Sequence, residues 1–221
     1  SGYKTSSFHE YDDTYYQRSI YHYNLGSEKF YNVVDLGIPY VSNGVEWPND
    51  SLMMGQVVNL AKDSSKPFMT FITTVSAHMS YAYKSGEGDK YMSLFENEGY
   101  DEETRRYLSK LKITDDSLGV LLDSLQNEGI LDDTVIVMYG DHYPYGLSKE
   151  DVSKIVSYDV NLYNDIEKTP FVIYNSKLSA KVFEDKTSYI NLLPTLANLF
   201  DLDYDARFYM GEDILSKDYV G

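Results

Sequence analysis

Cysteine is absent from all 221 residues, which removes thiolate nucleophiles, disulfides and cysteine-rich metal sites from consideration. Basic residues are scarce. Nineteen lysines and arginines face 35 aspartates and glutamates, giving a formal charge of −16. So acidic a surface repels nucleic acid at long range, and nucleic-acid binding is set aside. An anionic substrate would need a local positive site, supplied by a metal ion or an arginine. No apolar run approaches the roughly 18 residues of a membrane span, and no signal-peptide pattern opens the chain. Also missing are a glycine-rich phosphate loop, a Gly-x-Ser-x-Gly elbow and a His-Glu-x-x-His pair.

What is abundant is tyrosine, with 23 residues against nine phenylalanines and one tryptophan. Its ring is apolar and its tip polar, so it suits cores and wet clefts alike. The length fits one α/β domain or a large piece of one. Strands are expected over 3–11, 68–75, 134–139 and 171–174. The near-continuous apolar runs predict burial on both faces, as in a parallel sheet covered by helices. Helices are expected over 50–61 and 101–128. The second carries Tyr107, Leu111, Leu118, Leu122 and Leu125 on one stripe, with Gly129 as its stop. Asn191 would cap a third helix running to residue 200, with Pro194 in its first turn. Strands alternating with helices predict a mostly parallel α/β sheet flanked by helices. Residues 80–99 and 143–167 are expected to be loops or irregular insertions.

Asp141 and His142 follow the 134–139 strand directly, after Gly140. Open parallel sheets place ligands beyond the carboxyl ends of their strands. Gly140 could turn the backbone so that both side chains meet one ion. An oxygen and a nitrogen ligand suit Mn²⁺ or Zn²⁺. The alternative is a strand-end turn with a surface histidine. His78 ends a second strand and could bind an oxyanion or pass a proton, or be an ordinary loop histidine. Arg18 could hold phosphate or sulfate by two parallel hydrogen bonds, or form a surface ion pair. His22 reads as surface, Trp47 as packing, and Asp115-Asp116 as a solvated helix face.

Phe8-His9 with Tyr16-Gln17-Arg18, then Pro67-Phe68 through Ser76-Ala77-His78, then Tyr139-Gly140-Asp141-His142 resemble the lipoteichoic acid synthase branch of the sulfatase superfamily. Thr169-Pro170-Phe171, Leu193-Pro194-Thr195-Leu196 and Gly211-Glu212-Asp213 match it as structural markers. The resemblance covers essentially the whole chain. It implies an alkaline-phosphatase-like fold lacking the N-terminal part of the usual domain. Residues 1–221 would be a single sulfatase-like domain fragment, the C-terminal portion of a larger extracellular catalytic domain. Family members are anchored in the bacterial cell membrane, so the anchor and its spans would lie outside this chain.

The synthases move glycerol phosphate from an anionic lipid, phosphatidylglycerol, onto a growing cell-wall polymer through a phosphorylated threonine. By resemblance, Asp141 and His142 match ligands of one metal ion, usually Mn²⁺, with Mg²⁺ or Zn²⁺ as alternatives. His78 and His9 match substrate-site histidines, and Arg18 the phosphate-binding arginine. Tyr16 stands where an aromatic residue, often tryptophan, lines the glycerol site. The family's nucleophilic threonine and metal-binding glutamate come before the matched segment. No catalytic nucleophile is therefore assigned within the chain, and the fragment alone is expected to be inactive. Sulfate ester hydrolysis, phosphodiester hydrolysis and phosphoethanolamine transfer on the same scaffold stay open as alternatives. So does a non-catalytic module that binds cell-wall polymers.

Overall fold

The computed structural model describes residues 2–161 and 165–220; residues 162–164, within the expected loop 143–167, lie outside them. The chain divides into two compact units, residues 2–177 and residues 178–221.

In the first unit, β1 (Lys4–His9) lies between β2 (Lys29–Tyr31) and β3 (Phe68–Thr73), all parallel. β1 is central although it carries two serines, because each finds a partner. Ser6 Oγ meets Thr70 Oγ1 at 3.0 Å, and Ser7 Oγ meets His22 Nδ1 at 3.0 Å. Buried polar groups so satisfied cost the core little. His22, expected at the surface, is therefore buried; its ring also stacks on Phe30. It sits on α1 (Arg18–Asn24), a helix too short and polar to stand out in the sequence. β2 was missed for the same reason, being only three residues long.

Two helices cover one face of the sheet. α2 (Asp50–Ala61) starts at the cap Asn49, whose side chain accepts the Ser51 N–H at 3.0 Å. α3 (Glu102–Asn127) starts at Asp101, which accepts the Thr104 N–H at 2.8 Å. Gly129 ends it with φ +72. Met53, Val57 and Val58 of α2 and Leu121 and Leu125 of α3 build the core with Phe8 and Val33; Phe68, Ile72 and Ile136 pack against it. The expected α3 stripe needs correction. Leu111 is exposed, and the buried face in the N-terminal half runs through Arg106 and Lys110.

β4 (Ile136–Tyr139) pairs with β5 (Phe171–Tyr174) in antiparallel fashion. Between them the chain forms α4 (Lys149–Ile155), inside the stretch expected to be loop. The carbonyl of Pro170 accepts the Gly140 N–H, so the excursion from 140 to 170 returns to the strand end it left. No crossover carries it to the far edge, and an antiparallel partner follows. β3, β4 and β5 are half-exposed rather than buried on both faces. One face meets α2 and α3, while Met69 and Val172 point into solvent.

The second unit centres on α5 (Leu192–Leu199), with Pro194 buried in the first turn. Asn191 precedes the helix but does not cap it. Its Oδ1 instead accepts the Glu212 N–H at 2.9 Å, and its Nδ2 donates to the Tyr219 hydroxyl at 3.2 Å.

Candidate functional site

β1 and β3 run parallel, so His9 and the segment after Thr73 emerge at one end of the sheet. His9 is buried, and its Nδ1 lies 3.1 Å from the Thr73 carbonyl. A carbonyl only accepts, so Nδ1 carries the hydrogen and Nε2 keeps the lone pair. Burial, helped by the nearby Arg18 charge, lowers the imidazole to about 4. His9 is thus neutral at pH 7.

Beside it stands a buried acid pair that the sequence did not advertise. Glu10 is fully buried, and among the described residues neither carboxyl oxygen has a partner of good hydrogen-bond geometry, although the Val75 N–H and the Asp50 carboxyl lie beside it. The Asp50 carboxyl faces it. Asp50 Oδ1 accepts the N–H groups of Val75 at 2.8 Å and Ser76 at 2.9 Å, and Oδ2 accepts the Thr114 hydroxyl at 2.8 Å. Two ionised carboxylates both accept; a proton on Glu10 is the donor the pair otherwise lacks. Burial, then Asp50, push Glu10 up to about 11. The pair ties the end of β1 to the start of α2 and to the turn that leads to His78.

His78 Nδ1 donates to the Met79 carbonyl at 2.8 Å, again leaving Nε2 with the lone pair. Trp47 does more than pack. Its ring meets His78 edge-on at 4.7 Å, and its Nε1–H donates to the same Met79 carbonyl at 2.8 Å. Tyr11 touches the Trp47 ring at 5.2 Å and the His9 ring at 6.2 Å, so the two histidines lie on one aromatic patch. The patch continues through Tyr15 to Tyr16, at 4.5 Å from one another. Tyr16 adopts a left-handed φ of 54° and is 75% exposed. The Arg18 guanidinium lies 5.7 Å from the Tyr16 ring centre, and its buried Nε has no hydrogen-bond partner.

Asp141 and His142 follow β4 and face solvent, with His142 Nε2 3.6 Å from Asp141 Oδ1. His142 Nδ1 donates to the Tyr143 carbonyl at 2.8 Å, so Nε2 is a lone-pair nitrogen turned toward the carboxylate. Gly140 does not adopt a left-handed backbone. A Cβ there would lie 3.2 Å from Thr169 Cβ, so the glycine serves close packing between the two strand ends. The loop beyond meets the His78 loop directly. A Cβ on Gly146 would lie 2.8 Å from the Tyr81 ring, and Leu147 shares a small core with Tyr81.

Of the site residues named from sequence, His9, His78, Asp141 and His142 stand at a strand end or a few residues beyond one, while Tyr16 and Arg18 stand at the entry to α1. His9 and His78 are joined through rings, Arg18 acts electrostatically on His9, and Asp141 with His142 form their own pair. Among the described residues, no group of three His, Cys, Asp or Glu side chains could hold a metal ion. The pair fits part of a coordination shell: one oxygen, one lone-pair nitrogen, both open to solvent.

The family described as Sulfatase matches residues 1–202. A lipoteichoic acid synthase of Staphylococcus saprophyticus subsp. saprophyticus is 24% identical over 99% of this chain and 34% of its own length. The chain thus spans about a third of that relative. The crystal structure of a lipoteichoic acid synthase from Listeria monocytogenes superposes with a TM-score of 0.72 at 24% identity, covering 97% of this chain and 53% of that one. A protein of the alkaline phosphatase superfamily from Vibrio parahaemolyticus gives 0.67 at 18% identity, covering 99% and 49%. The fold is accordingly the alkaline-phosphatase-like α/β fold expected from the sequence.

Proposed function

The chain belongs to the sulfatase family, and from that premise we propose that it is the C-terminal portion of a metal-dependent phosphoryl-transfer domain. Its reaction would move glycerol phosphate from an anionic lipid to a cell-wall polymer, as the lipoteichoic acid synthase resemblance implies. The domain would act at the extracellular face of a bacterial membrane, with its anchor outside these residues. The described residues contain no helix long and apolar enough to cross a membrane. The observation that carries the reading is the pairing of Asp141 Oδ1 with the lone-pair Nε2 of His142, in a loop packed against the one that bears His78.

Asp141 and His142 would hold one ion, Mn²⁺ by resemblance and Mg²⁺ or Zn²⁺ otherwise; further ligands and the nucleophile would come from outside this chain. When bound, such an ion neutralises phosphoryl charge and acidifies a hydroxyl. The residues present have roles set by their hydrogens. Arg18 has donors only, and a buried Nε without a partner, so it holds phosphoryl oxygens. His9, neutral with its lone pair on Nε2, accepts from a hydroxyl such as those of glycerol. His78 Nε2 can take the proton of an incoming hydroxyl and return it to the departing oxygen. Tyr16, exposed beside Arg18, offers its ring to the glycerol carbons.

The test uses the longer polypeptide that contains this chain. Asp141→Ala is expected to abolish both bound manganese and release of glycerol phosphate from phosphatidylglycerol. Retention of wild-type turnover would remove Asp141 from the metal site and the proposal with it.

A further inference from the structure

Four successive carbonyls in the His78 loop are each gripped by a side chain. The Met79 carbonyl accepts from Trp47 at 2.8 Å and from His78 itself at 2.8 Å. The Tyr81 carbonyl accepts from Arg106. The remaining two belong to one residue: Lys110 Nζ donates to the His78 carbonyl at 2.9 Å and the Ser80 carbonyl at 3.1 Å. Lys110 is 1% exposed and lies one turn beyond Arg106 on α3. Gly88 makes room for it, since a Cβ there would lie 2.6 Å from Lys110 Cε.

Among the described residues, Lys110 forms no ion pair with a carboxylate. Arg106 repels it along the helix, Glu46 and Asp89 attract it from beyond contact distance, and the Tyr81 ring centre lies 5.7 Å away. An ammonium buried among neutral carbonyls is costly to keep charged, and one charge-assisted bond to each carbonyl is what it offers in return. Losing that charge would weaken both bonds to the carbonyls that flank Met79, since the neutral amine keeps only two weaker N–H donors, and the Met79 carbonyl between them fixes the His78 tautomer.

We propose that Lys110 is a positioning residue for His78: its buried ammonium ties the loop to α3 and so holds the imidazole with Nδ1 protonated and Nε2 open to the substrate. The inference rests on the reading that His78 serves the substrate. Burial, with Arg106 adding to it, lowers Lys110 to about 8, so the tie weakens in mildly alkaline solution.

Three proteins test it: Lys110→Met, His78→Ala and, as a control on the exposed side of α3, Lys112→Gln. The first readout is the ¹⁵N spectrum of His78. In wild type the Nδ1–H form is expected to persist at neutral pH and to admit a growing share of the Nε2–H form as pH rises through about 8. In Lys110→Met the two forms are expected to average throughout. The second readout is turnover of the longer polypeptide. Lys110→Met is expected to lower kcat about tenfold with KM nearly unchanged, the signature of a misplaced group, and to lose the alkaline limb of the pH profile. Lys112→Gln should match wild type. An unchanged His78 spectrum and kcat in Lys110→Met overturn the proposal. If that variant fails to fold, Lys110→Gln takes its place with the same readouts, and an unchanged His78 spectrum and kcat in it overturn the proposal equally. Wild-type turnover in His78→Ala, with the imidazole still freed in Lys110→Met, removes the substrate role of His78 instead and reduces Lys110 to a loop anchor.

Discussion

Replacing Glu10 with glutamine separates two opposing titrations at the heart of the site. Glu10 starts from 4.5 in the unfolded chain and is raised to about 11 by burial and by Asp50. The folded protein therefore keeps a proton that the unfolded chain releases. The resulting stability is complete below pH 4.5 and is lost as pH rises toward the folded value. Each pH unit within that window removes about 1.4 kcal/mol. His9 works the other way. Burial lowers it from 6.5 to about 4, so its contribution is complete above 6.5 and lost as pH falls through 4. Between pH 4.5 and 6.5 the two slopes oppose each other, with His22, lowered by burial, on the side of His9; above 6.5 Glu10 is unopposed until about pH 8, where Lys110 begins to oppose it.

Glu10→Gln preserves the shape, stays neutral at every pH, and offers Asp50 an N–H donor. The variant is expected to gain stability from pH 4.5 to 6.5, as His9 is no longer opposed, and then to level off until about pH 8. Wild type is expected to gain less over that interval and then to decline until about pH 8. The gap should therefore widen by about 1.4 kcal/mol per pH unit. Urea denaturation of both proteins at fixed ionic strength, from about pH 5 to about pH 9, measures it. Parallel curves above pH 6.5 would falsify the argument, because Glu10 would then carry the same charge folded and unfolded.

Two further substitutions probe the framework around the site. Arg106→Met leaves the Tyr81 carbonyl, Asp89 and Glu102 without their buried donor. Because both carboxylates keep some solvent contact, the loss should fall at the lower end of the range for a broken buried pair, about 3 kcal/mol in urea denaturation. Gly211→Ala would set a Cβ 1.9 Å from the Ile190 carbonyl oxygen, a backbone atom that cannot swing aside. The segment should lift, and exchange of the Glu212 and Ile214 amides with solvent should speed up on the order of tenfold or more.

How much of this was legible in the sequence depended on whether the signal was local. α2 and α3 were, because Asn49 and Asp101 cap them through side chains only two or three residues from their partners. The places of Asp141-His142 and His78 beyond strand ends were, because an apolar strand running into a polar turn is visible as a string. β2 and α1 were not, since their order comes from contacts made elsewhere: Phe30 is buried beside His22, and His22 is held by Ser7 from β1. The antiparallel turn of β5 depends on where the chain returns after thirty residues, which periodicity does not encode. Arg106 and Lys110 were hidden by their chemistry. Charges four apart on a helix ordinarily mark its wet side, and only the carbonyls of the 78–81 loop show that these two point inward.

The same hidden residues explain why the visible ones can act. His9, His78 and His142 share one arrangement, Nδ1–H to a backbone carbonyl at Thr73, Met79 and Tyr143, which reserves Nε2 as a lone pair. A lone pair binds a cation or accepts a hydroxyl proton; it does not hold an oxyanion. On a chain of net charge −16, that leaves Arg18 as the group on the aromatic patch suited to anion recognition, with a bound ion as its complement. Each fixed tautomer in turn depends on a carbonyl staying in place. Thr73 is fixed by its pairing with His9, and the approach to His78 by Asp50 and its acid partner Glu10. The carbonyls around Met79 depend on Lys110. On the proposed reading, the preference for hydroxyl and metal on one side and phosphoryl oxygen on the other would be set by groups buried behind the strand ends, and it should erode first where the Lys110 ammonium loses its proton.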